Sequence, residues 1–490
     1  MAGAKSDCAF LDYHRDVGPV RTGNVEIALG AREVALAVVQ DLIASSEHRL
    51  VVGLGPTGLS VARYLYARGD AFTVIDTRDE PPGLAELRNE MPEVPVFAGE
   101  IPEGVLTSAS QLIVSPGLAL DEPVVAKAIE SGAELMGDID LFAAAATAPI
   151  IGITGSNAKS TVTALLGVMA DEAGVTAGVG GNLGTPALEL LDDSCRLYIV
   201  ELSSFQLERA GNLDLAVAAV LNITPDHLDR HGNMPRYHQA KHRIFRGCQK
   251  AVVNRGDPLT IPLVDDDVEL ISWRMGEPEL NGFGLRVLDG VEQLCKGFEP
   301  LLPVAELGLA GRHNVANALA ALAIGHAAGL AMPAMLKAVR EFGGLQHRSQ
   351  RVAVINGVSY INDSKATNVG ATRAALEGLG EEKNLWLLAG GVGKGAEFSA
   401  LRQPIERHCR GVILFGEAAA ELAAVLDDSV PAIHVSSLAE AVASAAERAE
   451  SGDTVLLSPA CASFDMFASY VARGEAFCQL VEAIGPGDVS

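Results

Sequence analysis

Between Ile153 and Thr163 the chain reads ITGSNAKSTVT: a glycine, a short polar loop, then a lysine followed by two hydroxyl side chains. Those residue types suit a phosphate. Backbone N–H groups and the positive end of a following helix attract an anion. Lys159 would neutralise terminal phosphates, and the hydroxyl of Ser160 or Thr161 could ligate Mg2+. The apolar run APIIGIT before the loop predicts a buried strand, and STVTALLGVMADEAG predicts the helix after it. The fit to the general phosphate loop G-x-x-x-x-G-K-[ST] is nevertheless poor. Ala158 stands where a glycine would precede the lysine, and Gly155 is too close to Lys159. Alanine is expected to need φ < 0 there, because a Cβ disfavours the left-handed region. Taken alone, the stretch also reads as an ordinary strand-to-helix turn.

Five other stretches add chemistry. LYIVELSSFQLE predicts a strand ending at Glu201, and strand carboxyl ends form the ligand crevice of a parallel sheet, where a carboxylate could hold Mg2+. VLNITPDHLDRHGNMPRYHQAKHRIF predicts another strand, then a loop dense in Asp, His, Arg and Lys. His227 follows that strand and could reach a metal, Lys241 sits on a predicted helix, and three more histidines compete with His227. VVGLGPTGLSVARYL, with Gly53, Gly55 and Gly58 and an acid at Asp76, is close to a dinucleotide fingerprint. The same geometry serves NAD or any diphosphate carrying a ribose, a UDP-sugar included. INDSKATN places Asp363 and Lys365 in a tight turn, and LLSPACASFDMF follows a strand with a small-residue loop suited to a compact polar ligand. Helix capping and turn chemistry account equally for those last two.

The elements that must position these residues follow from the bulk pattern. At 490 residues the chain is long for one core and predicts about three domains. Apolar strands (AFTVID, LYIVELS, AVAAVLNI, GVILFG) alternate with helical stretches, which predicts parallel sheets with crossover helices. Boundaries are expected near 137 and 345, giving segments 1–46, 47–137, 138–345 and 346–490. The first is an extension in which VEIALGAREVALAVVQDLIAS has a helical period. A formal net charge of −25 argues against nucleic acid or an anionic membrane as partner, so local basic residues must hold any anionic substrate. The seven cysteines show neither metal spacing nor a disulfide framework, as expected in a reducing cytosol. The start has no apolar signal-peptide core. Ala318 to Leu336, the most membrane-like stretch, reads as two buried helices separated at Gly329 and reopened near Pro333.

In order, GLGPTG, DTR, SPG, GDIDLF, TGSNAKST, GGNLGTPAL, ELSSFQLE, DHLDRH, AKHRIF, GRHNVANALAA, HR, NDSKATN, GGVGK and SPACASFDMF resemble the Mur ligase family over nearly all the chain beyond the extension. The resemblance implies a three-domain α/β fold: a Rossmann-like UDP-binding domain, a central P-loop-type ATPase domain and a C-terminal Rossmann-like domain. DSKATN points to ATP-dependent ligation of D-glutamate to UDP-N-acetylmuramoyl-L-alanine, and a cytoplasmic monomer is expected. It further implies that Gly155, Ser156, Asn157, Ala158, Lys159, Ser160 and Thr161 bind ATP with Asn314, Asn317, Arg348 and Asp363. Thr57, Asp76, Thr77, Arg78, Ser115, Pro116, Gly117 and Asn182 would bind the UDP-substrate. Lys365, Thr367, Lys394, Ser463 and Phe467 would surround D-glutamate. Two Mg2+ ions would sit on Ser160, Glu201, His227 and a carbamylated Lys241. Departures are Ala158, Pro56 in the first glycine loop, Val392 for an acid, and Phe464 and Tyr470 for leucine and phenylalanine. The alternatives are a sister ligase with another amino acid, a non-catalytic paralogue, and an NAD oxidoreductase that leaves Lys159 and Glu201 unexplained.

Overall fold

A computed structural model describes residues 48–485 apart from 183, 310, 382 and 427–429, and the helical period expected within 25–45 lies outside the described residues. Three sheets follow one another along the chain. In the first, β1 (Arg49–Val52), β2 (Phe72–Asp76), β3 (Val96–Ala98), β4 (Gln111–Val114) and β5 (Glu134–Met136) are all parallel, in the order β3-β2-β1-β4-β5. Their short Val/Ile/Leu runs are buried because helices cover both faces. The order reverses between β1 and β4, and a ligand crevice opens at such a switch point. Pro56 begins the helix Pro56–Ala67, where its missing N–H costs nothing, so that departure is structurally benign. Gly58 has no substitute: a Cβ would lie 1.8 Å from the Gly53 carbonyl oxygen.

The second sheet holds β6 (Ile150–Thr154), β7 (Ala177–Gly181), β8 (Leu197–Glu201), β9 (Val217–Val220), β10 (Lys250–Asn254), β11 (Glu269–Trp273), β12 (Phe283–Leu288), β13 (Val291–Lys296) and β14 (Glu299–Pro303). Its order is β14-β13-β12-β11-β10-β9-β6-β8-β7. The sheet is parallel as far as β12, and β12, β13 and β14 form an antiparallel meander. That meander is an antiparallel addition to the expected parallel sheet. Its signal was present, since Asp289 (φ 50°) and Gly290 (φ 81°) form the tight Asp-Gly hairpin turn between β12 and β13. The helices Lys159–Glu172 and Arg312–Ala327 pack into the central core. Arg312–Ala327 is buried on nearly every face, which explains its apolarity. Gly329 (φ 82°) follows it, and Pro333 lies in the first turn of the helix Met332–Glu341. Among the described residues no helix is long and apolar enough to cross a membrane.

The third sheet has β15 (Gln350–Ile355), β16 (Val358–Asn362), β17 (Leu385–Gly390), β18 (Cys409–Phe415), β19 (Ala432–His434) and β20 (Thr454–Leu457), in the order β15-β16-β20-β17-β18-β19. Only the β15–β16 pair is antiparallel. A continuous apolar cluster joins residues of the first sheet, such as Val51 and Ile113, to Ile150 and Tyr198 of the second.

Candidate active site

β6 ends at Thr154 and the helix Lys159–Glu172 starts after four intervening residues, so the loop between them aims a helix N-terminus across the sheet edge. Ala158 adopts φ 67°, which overturns the expected φ < 0. A Cβ in the left-handed region is strained by about 1–2 kcal/mol, and the surrounding bonds hold it there. The Asn157 amide donates to Asn222 Oδ1 at 2.8 Å, and the Ser156 amide to the Asn222 carbonyl at 2.9 Å. Ser156 Oγ lies 2.9 Å from the Tyr237 hydroxyl and donates to the Thr224 carbonyl at 2.9 Å. Ala158→Gly is therefore expected to raise the melting temperature by about 2 °C, with relief of strain partly offset by a looser unfolded chain. An unchanged or lower melting temperature would show that the loop stores no strain.

Lys159 Nζ donates back to the Gly155 and Ser156 carbonyls at 2.8 and 3.2 Å. Burial lowers its amine below the usual lysine range, while Glu201 opposes that shift. Lys241 is 2% exposed, donates to the Gly155 carbonyl at 2.8 Å, and faces the Tyr237 ring at 4.7 Å. Burial first, then the Lys159 charge, push its amine well below the ordinary value. Glu201, also 2% exposed, accepts from Asn182 Nδ2 at 2.6 Å through Oε1, and its Oε2 is buried without a hydrogen-bond partner. His227 begins the turn after β9 with φ 52°, its ring edge-on to Phe205 and its Nε2 3.7 Å from Asp226 Oδ2.

Residues after 345 close over this group. Arg348 Nη2 donates to Ser160 Oγ at 2.7 Å, and burial lowers its pKa against the attraction of Glu201 and Asp363. Asp363 accepts from the Ser349 amide at 3.1 Å and from Ser458 Oγ at 2.9 Å. Burial raises its carboxyl to about 7. Between about pH 4 and 7 the folded chain therefore holds a proton that the unfolded chain has released. This group lowers stability as pH rises through that window. Asp363→Asn, which keeps the shape, is expected to flatten that part of the stability–pH curve; an unchanged slope in melting temperature over the window would refute the assignment.

Lys365, lowered to about 8 chiefly by burial and then by Arg348, lies 3.9 Å from the centre of the Tyr470 ring. Thr367 donates its amide to the Lys365 carbonyl at 2.8 Å. Lys394, exposed and at φ 52°, is within electrostatic reach of Lys365. Ser463 is buried and its carbonyl accepts the Phe467 amide at 2.8 Å. The Phe467 ring packs against the third sheet's core, so Tyr470 is the aromatic that meets Lys365. Asn314 and Asn317 share a 3.1 Å hydrogen bond in the first turns of Arg312–Ala327.

The remaining predicted residues gather at the first switch point. Asp76 accepts from the Leu54 amide at 2.7 Å and from Arg78 Nη2 at 2.7 Å. Burial pushes its carboxyl up, and these bonds together outweigh that and hold it below the ordinary value. Thr77 is exposed beside it, and Thr57 lies in the first turn of the glycine-loop helix. Ser115 Oγ donates to the Gly53 carbonyl at 2.9 Å, which places Ser115, Pro116 and Gly117 beside the glycine loop.

Three family models match successive stretches of the chain. Residues 47–137 fit the family described as Mur ligase MurD-like, N-terminal domain; 153–325 fit the Mur ligase middle domain; 347–461 fit the Mur ligase, glutamate ligase domain. The chain belongs to the Mur ligase family. It is 54% identical over 440 residues to a UDP-N-acetylmuramoylalanine--D-glutamate ligase of Pseudomonas putida, covering 89% of this chain and 98% of the relative. The same-named ligase of Pseudomonas aeruginosa is 54% identical over 445 residues, 90% of this chain and 99% of the relative. The solved UDP-N-acetylmuramate-alanine ligase of Thermotoga maritima shares the fold at TM-score 0.56 and 19% identity, covering 90% of this chain and all of that one.

Within this Mur ligase, three contributors escaped the sequence reading. Tyr237 and Asn222 brace the 155–158 loop from a helix and a strand end whose sequences carry no motif for that task. Arg473, fully buried, donates to Ser364 Oγ and the carbonyls of Ser364, Gly390 and Cys461, pinning three loops together. Val392 ties to Ala462 through backbone bonds of 2.9 and 3.0 Å, so its side-chain type is immaterial to that link.

Proposed function

We propose that the chain catalyses ATP-dependent ligation of D-glutamate to UDP-N-acetylmuramoyl-L-alanine, releasing ADP and phosphate, in peptidoglycan precursor synthesis. The observation that carries this reading is the grouping of Lys159, Lys241, Arg348 and Lys365 within electrostatic reach of Glu201. Near-full-length identity to ligases of that name supports the choice of amino acid. The three units are 47–137 for the UDP-substrate, 138–345 for ATP and 346–490 for D-glutamate, and closure of the third completes the site.

The acceptor carboxylate is a poor electrophile at neutral pH. One of its oxygens attacks the γ-phosphorus of ATP, the bond to ADP breaks, and an acyl phosphate forms. The neutral D-glutamate amine then attacks that carbonyl, phosphate leaves with the bonding pair, and the nitrogen loses a proton. Such transfers need alignment and charge neutralisation more than a protein nucleophile. Lys159 and Arg348 neutralise the transferring phosphoryl group. Thr57, Asp76, Thr77, Arg78 and the Ser115–Gly117 loop hold the UDP end, and Asn182 the sugar-peptide. Asn314, Asn317 and Asp363 orient the nucleoside. Lys365, Thr367, Lys394 and Ser463 receive the carboxylates of D-glutamate, with Tyr470 beside them.

Glu201 Oε2, a buried and unpartnered carboxylate oxygen, fits a divalent cation. Ser160 and Glu201 would hold one Mg2+, and His227 and Lys241 a second. Mg2+ supplies charge neutralisation of the phosphates when bound. Lys241 is a deeply buried amine with lowered basicity, the condition for capturing CO2 as a carbamate. A carbamate carbonyl signal from protein equilibrated with 13C-bicarbonate, absent in Lys241→Ala, tests this. Phosphate release with ATP, Mg2+ and UDP-N-acetylmuramoyl-L-alanine, compared across D-Glu, L-Glu, L-Lys, meso-diaminopimelate and glycine, tests the main proposal. Turnover with D-Glu alone is expected; turnover with another amino acid would establish a sister ligase instead.

A further inference from the structure

Arg209 ends the six-residue helix Ser204–Arg209, which follows directly from the strand that presents Glu201. Its side chain is 3% exposed, an unfavourable place for a cation, so what it touches matters. Nη1 donates to the Phe205 carbonyl at 2.6 Å, which caps its own short helix. The same Nη1 donates to the Pro116 carbonyl at 3.3 Å, and Nη2 donates to the Leu118 carbonyl. Those two carbonyls belong to the loop after β4, more than ninety positions away in sequence. Among the described residues no carboxylate pairs with Arg209 directly. Glu208 and then Asp138 act on it only through space, and burial first, then the Arg230 charge, lower the guanidinium pKa to about 10.

Arg230 reinforces the contact. It stands on the turn that follows His227, donates through Nη2 to the same Leu118 carbonyl at 2.7 Å, and is anchored by Glu208 at 3.1 Å and by the Phe205 ring at 5.2 Å. The far side of the loop is held by Ser115, whose hydroxyl bonds the Gly53 carbonyl. Residues 115–118 are thus fastened to the glycine loop on one side. On the other they are fastened to two arginines that extend the β8 and β9 ends carrying Glu201 and His227.

We propose that Arg209 is a positioning residue for the UDP-substrate: it sets the Ser115–Leu118 loop relative to the phosphate-transfer site. This rests on the reading above that the loop lines the UDP-substrate crevice. Backbone carbonyls are its targets, so the device depends on the guanidinium fork rather than on the loop's side chains. Lysine has no fork and can satisfy only part of it.

The test compares Arg209→Met, Arg209→Lys and Arg243→Met in steady-state phosphate release, with KM measured for each substrate. Arg243 is the control because its guanidinium bonds the Ala210 carbonyl within the central unit and reaches no loop of the first sheet through it. Arg209→Met is expected to raise KM for UDP-N-acetylmuramoyl-L-alanine about tenfold, the loss of roughly one charge-assisted hydrogen bond. Its KM for ATP and for D-glutamate should stay within about twofold, and kcat should fall less than about threefold. Arg209→Lys should give an intermediate rise, and Arg243→Met none. Equal rises in all three KM values would assign a purely structural role and overturn the proposal. An unchanged UDP-substrate KM in a folded Arg209→Met would overturn it too. If Arg209→Met does not fold, Arg209→Lys decides: an unmoved KM ends the idea. Wild-type protein that neither binds nor turns over the UDP-substrate would instead sink the functional reading, a distinct result.

Discussion

Replacing Lys159 by alanine is expected to lower kcat/KM for ATP by about a thousandfold while the protein stays folded. The reasoning starts from where the amine sits. Lys159 opens the helix Lys159–Glu172 and its Nζ is tethered to two carbonyls of its own loop, Gly155 and Ser156, so its position is set before any nucleotide arrives. A preorganised cation facing developing negative charge in a poorly hydrated site acts far more strongly than one in water. Burial already disfavours its charge, so removing it relieves a desolvation penalty. Stability should therefore change little. Arginine is not a conservative replacement, because the planar fork cannot reproduce a compact ammonium bound to both carbonyls. Single-turnover phosphate release, set beside calorimetric binding of a non-hydrolysable ATP analogue, separates the affinity loss from the rate loss. A Lys159→Ala enzyme keeping more than about a tenth of wild-type kcat/KM would refute this role.

Glu201→Gln should cost activity far more than stability. The wild-type carboxylate is nearly sealed from solvent, with Oε1 bonded to Asn182 and Oε2 without a partner. A buried acceptor left unmatched is destabilising by about 1–3 kcal/mol. Glutamine keeps the volume and the Oε1 acceptor, and it removes the formal charge. Relief of the buried charge is offset by the lost attraction to Lys159 and Arg348, so the melting temperature is expected to shift by no more than about 3 °C. Catalysis should fall about a thousandfold, because a neutral amide is a poor ligand for a hard cation and cannot balance Lys159 and Arg348. Excess Mg2+ should recover little of the rate. A variant both slow and clearly less stable would mean that Glu201 mainly holds the fold together, and the proposed metal role would be lost.

The two substitutions probe one cluster from its positive and negative sides. Lys159, Lys241, Arg348 and Glu201 act on one another electrostatically, so their effects should not add. The double variant Lys159→Ala/Glu201→Gln is accordingly expected to be no slower than the slower single variant by more than about tenfold.

Much of this protein was readable from sequence because its signals are local. Short β-branched runs alternating with helical stretches specify parallel sheets, while a strand, a loop and Lys159 point to an anion site but also read as an ordinary strand-to-helix turn. The glycine loop before Pro56 and the acid at Asp76 announced the first crevice in the same way. Tertiary structure decided what depends on distant partners. Ala158 was expected at negative φ because local sterics favour it; the bonds from Asn222 and Tyr237, far along the chain, hold it at φ 67° instead. Tyr470 rather than Phe467 meets Lys365: Tyr470 opens the helix Tyr470–Glu482 with its ring at the Lys365 amine, whereas the Phe467 ring packs against the third sheet's core. The carbonyls that Arg209 reaches carry no side-chain signature at all, so no pattern along the chain could reveal that contact. Local backbone preference and hydrophobic period are written residue by residue. Which buried charge faces which loop is settled only when the three sheets pack.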